Sequence, residues 1–286
     1  MTVLITGAAG LLGQELVRKF SDERHIACTH ADLDITDAGA VGALLAAERP
    51  DVVINAAAWT DVDACEADPD RAHAVNAQGP GNLARACASI GATVLTISTD
   101  YVFGADDNGR RPFDEHAPIA PLNVYGAAKA AGEAQVREAT AAHQIVRTSW
   151  VYGAARPTFA SAMLARARRG EALAVAEGQW STPTSARDLA VAVAEIARSR
   201  SFGTFHRPNA GWCSRVAYAL EVCRAAELDV EVRAVDPSTF PSGAPRPAWS
   251  VLGDTRTREA GFSAMRPWQE ALRDAVVRGD LDRATR

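Results

Sequence analysis

A glycine-rich turn stands between an apolar segment and a helical segment at the start of the chain. Residues 1–6 form a short apolar run, and Leu12, Leu16 and Phe20 then recur on one face of a helical pattern. The turn, residues 7–13, has the pattern G-x-x-G-x-x-G. It needs glycines because the chain bends sharply, the helix packs closely on the strand, and a phosphate can approach the backbone. The sequence therefore predicts a strand, a tight turn and a helix whose N-terminus accepts a phosphate group.

Strand and helix patterns alternate over the first half of the chain. Further strand patterns lie at 25–30, 51–55, 93–98 and 144–147, and helical patterns at 38–48, 69–90 and 124–143. This alternation predicts an α/β fold with a Rossmann-type, doubly wound parallel sheet that takes a sixth strand from later in the chain.

After residue 150 the alternation becomes irregular. Helical patterns at 159–169, 186–198 and 214–226 are separated by loops that contain prolines. We therefore predict two domains. The first, over residues 1–150 with a returning segment at about 185–202, binds a dinucleotide. The second is a smaller C-terminal α/β domain for the substrate, over 151–184 and 203–286.

Composition argues against several classes of function. The net charge of −5 argues against a general affinity for nucleic acid. No run reaches the roughly 18 consecutive apolar residues of a membrane span, and the first residues lack a signal-peptide core. We therefore expect a cytoplasmic protein with no membrane partner. The cysteines lack metal-ligand spacing, so we expect reduced, mostly buried thiols and no metal site at Cys28, Cys65, Cys87, Cys213 and Cys223.

The position of the glycine turn indicates a dinucleotide as the ligand. Its spacing is typical of short-chain dehydrogenases, and it begins at residue 7 inside a βαβ pattern. The predicted pyrophosphate contacts are Gly7, Gly10, Leu11, Leu12 and Gly13.

The end of the second strand discriminates between NADH and NADPH in folds of this type. Asp32 and Asp34 are candidate ligands of the ribose there, Asp32 favours NADH weakly, and His30 would tolerate a 2′-phosphate. An alternative is that these are solvated loop residues. We expect NADPH or NADH as the cofactor, with a slight preference for NADPH.

A tyrosine and a lysine stand one helical turn apart at Tyr125 and Lys129. A nearby ammonium group lowers the pKa of a phenol by stabilising the phenolate, so this pair is suited to acid–base catalysis. An ordinary surface pair is the alternative. The functional interpretation is favoured because Lys129 and Lys19 are the only lysines among 30 cationic residues.

The predicted fourth strand ends in hydroxyl side chains. Strand ends of a parallel sheet face the ligand crevice. We therefore expect Thr99 to hydrogen-bond the substrate carbonyl, with Ser98 as the competing candidate and a simple turn as the alternative to both.

Seven motifs in order along nearly the whole chain resemble the dTDP-4-dehydrorhamnose reductase family, an extended short-chain dehydrogenase family. They lie at residues 7–13, 33–37, 55–60, 98–103, 121–126, 147–153 and 246–247.

This resemblance implies transfer of hydride from NAD(P)H to C4 of a dTDP-4-keto-6-deoxyhexose. It implies that Thr99, Tyr125 and Lys129 are catalytic, with the cofactor lined by Asn55, Ala56, Ala57 and Ala58. Trp150 would pack on the sugar and Arg246 would bind the nucleotide diphosphate, unless they are a core aromatic and a surface cation. The expected substrate contacts are Thr60, Ser98, Thr99, Asp100, Tyr101, Trp150 and Arg246.

The segments 158–159, 178–184 and 246–250 depart from the family pattern, which leaves the identity of the sugar open. The related sugar-nucleotide dehydratases have an Asp-Glu pair after the catalytic threonine, whereas here Asp100 and Tyr101 follow Thr99. Reduction is therefore favoured over dehydration. An epimerase, another ketoreductase, and a non-catalytic subunit like the methionine adenosyltransferase partner remain alternatives. The expected partner is a small nucleotide sugar, and a homodimer is one open arrangement.

Overall fold

The chain alternates strands and helices, as the sequence predicts. The structure is a computed structural model that describes residues 1–240 and 243–283. Its strands are β1 (Val3–Thr6), β2 (His25–Cys28), β3 (Val52–Asn55), β4 (Thr93–Thr99), β5 (His143–Thr148), β6 (Val151–Tyr152), β7 (Leu173–Ala176), β8 (Trp180–Ser181), β9 (Thr184–Ser185), β10 (Gly203–His206), β11 (Cys213–Ser214) and β12 (Val232–Val235). Its helices are α1 (Leu11–Lys19), α2 (Ala38–Glu48), α3 (Val62–Ala67), α4 (Pro69–His73), α5 (Gly79–Ile90), α6 (Val124–Ala139), α7 (Phe159–Arg168), α8 (Ala186–Arg198), α9 (Arg215–Ala225), α10 (Thr255–Glu259), α11 (Trp268–Val277) and α12 (Asp280–Arg283).

Within the described ranges, a parallel sheet of six strands has the order β2-β1-β3-β4-β5-β10. The chain moves outward from β1 to β2 and then returns to place β3 on the other side of β1. In open α/β sheets, ligands bind at the carboxyl ends of the strands where the strand order reverses in this way. The topology therefore places a crevice at the ends of β1 and β3.

Helices cover both faces of this sheet. On one face, Leu16 of α1 and Val193 of α8 pack with Ile5 of the sheet in one buried cluster. On the other face, Leu83 of α5 packs with Val53 of β3. Alternate residues of each strand thus face opposite clusters, and the predicted doubly wound α/β class is confirmed.

Much of the chain after residue 150 packs around a separate apolar cluster. Tyr218 of α9, Leu164 of α7 and Leu272 of α11 are buried in it. Short two-stranded pairings, β7 with β12 and β8 with β11, lie in this part of the chain. Residues 203–206, which the sequence prediction gave to the second domain, form β10 and pair with β5 of the central sheet. The proposed domain division stays a prediction, and residues 284–286 at its end lie outside the described ranges.

Two helical regions differ from the sequence prediction. The single helix predicted over 69–90 contains a π-helical segment, Ala74–Gln78, followed by a proline in the first turn of α5. Proline has no N–H to donate, so the regular i to i−4 pattern is interrupted there. Helix α3 was not predicted, because its six residues are too few for a clear periodicity; the Asp61 side chain caps it by accepting from the Ala64 N–H.

A buried ion pair fixes α6 against the sheet. Glu133 accepts two hydrogen bonds from the Arg147 guanidinium, at 2.8 and 2.7 Å, and a third from Ser98 at 2.6 Å. Both charged side chains are 1% exposed. Burial opposes ionisation of Glu133, but the hydrogen bonds and charge of Arg147 hold its pKa below the usual value.

No helix among the described residues has the length and apolar character needed to cross a membrane. All five cysteines are buried and unpaired, as expected.

The two glycines Gly13 and Gly42 provide a matched test of the turn. A Cβ at Gly13 would lie 2.1 Å from the Gly7 carbonyl oxygen, whereas a Cβ at Gly42 in α2 meets no atom within 4 Å. We expect Gly13→Ala to lower the free energy of unfolding by about 3 kcal/mol, because the turn must open. Gly42→Ala should raise it by about 0.5–1 kcal/mol, because alanine favours the helix. Urea unfolding monitored by circular dichroism measures both, and equal effects would contradict the packing argument.

Candidate active site

A cavity of about 850 Å³ opens at the carboxyl ends of the central strands. The glycine turn, the pair Tyr125 and Lys129, and an aromatic group around Trp150 all line it. The predicted site residues that line it are Gly7, Gly10, Leu11, Leu12, Asp34, Ala56, Ala57, Ala58, Thr60, Ser98, Thr99, Asp100, Tyr101, Tyr125, Lys129 and Trp150.

Four predicted site residues do not line the cavity. Gly13 lies beneath the turn, against Gly7. Asn55 is buried behind it, where it accepts from the Thr6 hydroxyl at 2.7 Å and donates to the Thr96 hydroxyl at 3.1 Å, so it joins β1, β3 and β4.

The other two are held by polar partners elsewhere. The Asp32 carboxylate accepts from the Thr29 hydroxyl and N–H within its own loop, and the hydroxyl bond, followed by the backbone bond, lowers the pKa of Asp32. Arg246 pairs with Asp63 at 2.8 Å and donates to the Ala244 carbonyl at 3.3 Å. Neither residue lines the cavity.

The N-terminus of α1 is open toward the cavity. Its N-cap is Gly10, which has no side chain to cap the helix, and the first turn contains no acidic residue. The Gly10 N–H donates to the Gly7 carbonyl at 2.9 Å, which closes the turn below the helix. The first N–H groups of α1 therefore lack a side-chain acceptor and lie where a phosphate would be stabilised by the helix dipole.

A close approach of α6 to β4 brings Tyr125 near Thr99. The Asn123 side chain caps α6 by accepting from the Gly126 N–H at 2.8 Å. A Cβ at Gly126 would lie 2.1 Å from the Tyr101 carbonyl oxygen, so only glycine allows this contact between the helix and the turn after β4. The ring centroids of Tyr101 and Tyr125 are consequently 6.0 Å apart, edge to face.

The Tyr125 phenol is protonated at neutral pH. Burial raises the pKa of Tyr125 above the usual value, and this effect exceeds that of the hydrogen bond with Thr99, which lowers the pKa. The sequence argument expected the Lys129 ammonium to lower this pKa. The structure differs because Lys129 donates to the Ile97 carbonyl at 2.7 Å and burial of the phenol dominates.

Lys129 is 4% exposed, although it carries a charge. Burial lowers the pKa of Lys129 to about 8, although the negative charge of Glu133, four residues later in α6, acts to raise it. A lysine in this state changes its charge close to physiological pH, as acid–base catalysis often requires.

Asp100 is buried at the floor of the cavity. It accepts hydrogen bonds from Ser250 at 2.5 Å, Ser181 at 2.9 Å and Thr99 at 3.1 Å. Burial raises the pKa of Asp100 to about 6, although the hydrogen bonds from Ser250, Ser181 and Thr99 act to lower it. Because Ser181 and Ser250 belong to segments that depart from the family pattern, the carboxylate connects the end of β4 to the variable half of the chain.

Trp150 lines the cavity in a left-handed backbone conformation, with φ of 41°. Its ring stacks near Tyr218, with the centroids 6.0 Å apart and the planes at 13°. The Arg215 guanidinium lies 3.8 Å above the Trp150 ring and 4.7 Å from the Phe159 ring.

Sequence reasoning missed several residues that line the cavity. The unpredicted cations are Arg71, Arg156 and Arg215, and the unpredicted aromatics are Phe159 and Tyr218. Arg215 begins the predicted helix after Ser214, but nothing in the local pattern distinguishes it from the other arginines of the chain. Its position depends on contacts with α7 and with the segment after β5, which are distant in sequence.

Comparison with known proteins agrees with this geometry. A family model described as the RmlD substrate binding domain matches residues 1–280. The dTDP-4-dehydrorhamnose reductase of Mycolicibacterium smegmatis is 42% identical over 280 residues, covering 96% of this chain and 85% of that protein. The dTDP-4-keto-6-deoxy-D-glucose reductase of Streptomyces niveus is 37% identical over 276 residues, covering 95% of each.

A crystal structure of dTDP-4-dehydrorhamnose reductase from Bacillus anthracis in complex with NADP is also similar. It superposes with a TM-score of 0.92 at 36% identity, over 97% of this chain and 99% of that one. The family match over nearly the whole chain, together with these relatives, confirms the resemblance inferred from the motifs. The chain therefore belongs to the dTDP-4-dehydrorhamnose reductase family of nicotinamide-dependent oxidoreductases.

Proposed function

We propose that this protein reduces the C4 keto group of a dTDP-4-keto-6-deoxyhexose, with NADPH as the preferred cofactor and Tyr125 as the proton donor. The observation that carries this proposal is that Thr99, Tyr125 and Lys129 share one cavity with the uncapped N-terminus of α1. Phosphate-binding geometry and an acid–base group thus face the same space, which a redox enzyme of this kind requires.

The residues present fit a nicotinamide dinucleotide. The open N–H groups at the start of α1 would hold the pyrophosphate, and Ala56 and Ala57 after β3 leave room beside it. Lys129, in the middle of the cavity, would hold the nicotinamide ribose. Bound NADPH would supply the hydride that the carbonyl carbon accepts.

Tyr125 supplies the proton that completes the reduction. The C4 carbon gains the hydride, and the carbonyl oxygen takes a proton from the Tyr125 hydroxyl, so the ketone becomes an alcohol. The raised pKa of Tyr125 keeps this proton in place until charge develops on the oxygen. General acid catalysis of this kind contributes about 10²–10⁴-fold to the rate.

Lys129 and Thr99 support this proton transfer. In its charged form, Lys129 stabilises the phenolate that Tyr125 becomes after it donates. Thr99 hydrogen-bonds Tyr125, and it donates to Asp100 at 3.1 Å. We propose that the single Thr99 O–H turns from Asp100 to donate to the substrate carbonyl, which positions this carbonyl beside Tyr125. Orientation contributes much of the remaining acceleration.

The preference for NADPH is supported by the end of β2. His30 lines the cavity, whereas Asp32 does not, and one oxygen of the Asp32 carboxylate accepts from Thr29. A nearby imidazole tolerates a 2′-phosphate better than a carboxylate does. We also propose that residues 1–150, with the returning segment, bind the cofactor and that the remainder binds the sugar nucleotide.

The proposed reaction is tested by a direct assay. Purified protein is mixed with NADPH or NADH and with dTDP-4-keto-L-rhamnose, and loss of absorbance at 340 nm is recorded. We expect rapid oxidation of both cofactors, with a larger kcat/KM for NADPH. If the cofactor binds but no keto sugar of this class is reduced, the proposed reaction is wrong.

Replacement of Tyr125 by phenylalanine tests the proton donor. Tyr125→Phe keeps the ring and removes the hydroxyl, so we expect kcat to fall by about 10²–10⁴-fold. The Kd of NADPH, measured by fluorescence titration, should change by less than about threefold and serves as the control. Unchanged turnover would exclude Tyr125 as the proton donor.

The pH dependence tests the role of Lys129. Its pKa of about 8 means that the ammonium is present below pH 8 and is lost as the pH rises above it. Tyr125 remains protonated over this range because its pKa is raised. We therefore expect kcat/KM to fall about tenfold per pH unit above pH 8.

The residual activity of Lys129→Met should lack this alkaline decline, because the titrating group is absent. The measurement compares kcat/KM from pH 6.5 to 9.5 at saturating NADPH. The same decline in the variant would assign the titration to another group.

A further inference from the structure

Arg215 lies against two aromatic rings in the cavity. Its guanidinium lies 3.8 Å from the centroid of Trp150 and 4.7 Å from that of Phe159. Arginine stacks well on aromatic faces because its charge is delocalised over a planar group. The side chain is partly buried, lines the cavity, and lies within electrostatic reach of Tyr101 and Asp100.

The guanidinium has no hydrogen-bond acceptor or ion-pair partner among the described residues 1–240 and 243–283. Burial lowers the pKa of Arg215 from the usual value, and the nearby Tyr101, Tyr218 and Asp100 partly oppose this by raising it. A guanidinium carries five N–H donors, and stacking on rings satisfies none of them. Its donors and its desolvated charge are therefore available to an acidic group of a ligand.

Arg215 also changes what Trp150 can do. The resemblance to the family implies that the Trp150 ring packs on the sugar. In this chain a guanidinium occupies the space directly above that ring, at stacking distance. The surface offered to a ligand at this point is therefore the edge of a cation rather than an indole face.

The other cations at the cavity are less suited than Arg215 to bind an acidic ligand beside Trp150. Lys129 donates to the Ile97 carbonyl, and Arg71 lies 4.4 Å from the Trp59 ring, next to the β3 end of the cavity. Arg156 is exposed to solvent. Arg246, which the resemblance places at the diphosphate, does not line the cavity and pairs with Asp63 at 2.8 Å.

We propose that Arg215 binds the sugar-linked phosphate of the substrate's nucleoside diphosphate and so selects nucleotide sugars over free sugars. This inference rests on the proposed function, because the diphosphate is the anionic group of that substrate. A planar guanidinium matches a phosphate in two-pronged geometry, and the rings hold the fork in place. Trp150 and Phe159 thus orient the arginine, and the arginine contacts the ligand.

The test is the affinity for dTDP and dTMP, which differ by the phosphate in question. Isothermal titration calorimetry is performed on NADP⁺-saturated protein for the wild type, Arg215→Met and Arg215→Lys. We expect Arg215→Met to weaken dTDP by about 10- to 100-fold and dTMP by less than threefold. Arg215→Lys, which keeps the charge without the planar fork, should weaken dTDP by about 3- to 10-fold.

Arg224→Met is the matched control. Arg224 lies on the same helix, exposed, and pairs with Glu221, so its loss should leave dTDP affinity within twofold of the wild type. Thermal unfolding and NADP⁺ affinity show whether each variant is folded. If Arg215→Met does not fold, the dTDP-to-dTMP ratio of Arg215→Lys decides.

Equal loss of dTDP and dTMP affinity, or no loss of either, would overturn the role of Arg215 and leave the proposed function standing. A wild-type protein that binds no dTDP at all would instead overturn the proposed function, and this inference with it.

Discussion

The buried ion pair of Glu133 and Arg147 is the interaction on which the site depends. It joins α6, which carries Tyr125 and Lys129, to β5, and the bond from Ser98 joins the same carboxylate to β4. Burying a charged group costs several kcal/mol unless hydrogen-bond partners compensate for the lost water. Here both oxygens of the Glu133 carboxylate accept hydrogen bonds. The result is a fixed distance between the helix that bears Tyr125 and Lys129 and the strand that bears Thr99.

That fixed geometry explains why Lys129 can be buried. The Lys129 ammonium lies one turn before Glu133 on α6. Desolvation lowers the pKa of Lys129 to about 8, and the negative charge of Glu133 partly offsets this effect. A more exposed lysine would keep a pKa near 10 and stay charged, but water would screen its effect on a phenolate. Burial of Lys129 thus costs some stability but keeps water from screening the effect of its charge on a phenolate, and active sites commonly show this exchange.

Local sequence predicts much of this enzyme and long-range contacts supply the rest. The glycine turn and the Tyr125–Lys129 pair were found because their chemistry depends on residues a few positions apart. Arg215 and the Glu133–Arg147 pair depend on segments that only the folded chain brings together. The positions of Asn55 and Arg246 show the same limit, since their side chains bond partners that lie far away in the sequence.

Segments 178–184 and 246–250, which the sequence analysis predicts to depart from the family pattern, meet at the buried Asp100. Ser181 and Ser250 lie in two of those segments, yet both donate to Asp100, whose other oxygen receives Thr99. Protonation of Asp100, near pH 6, would therefore disturb Thr99 and the segments that carry Ser181 and Ser250 together. Any change of sugar specificity in these segments must keep hydroxyl donors for this carboxylate, because an unmet buried charge would cost more than a new sugar contact returns.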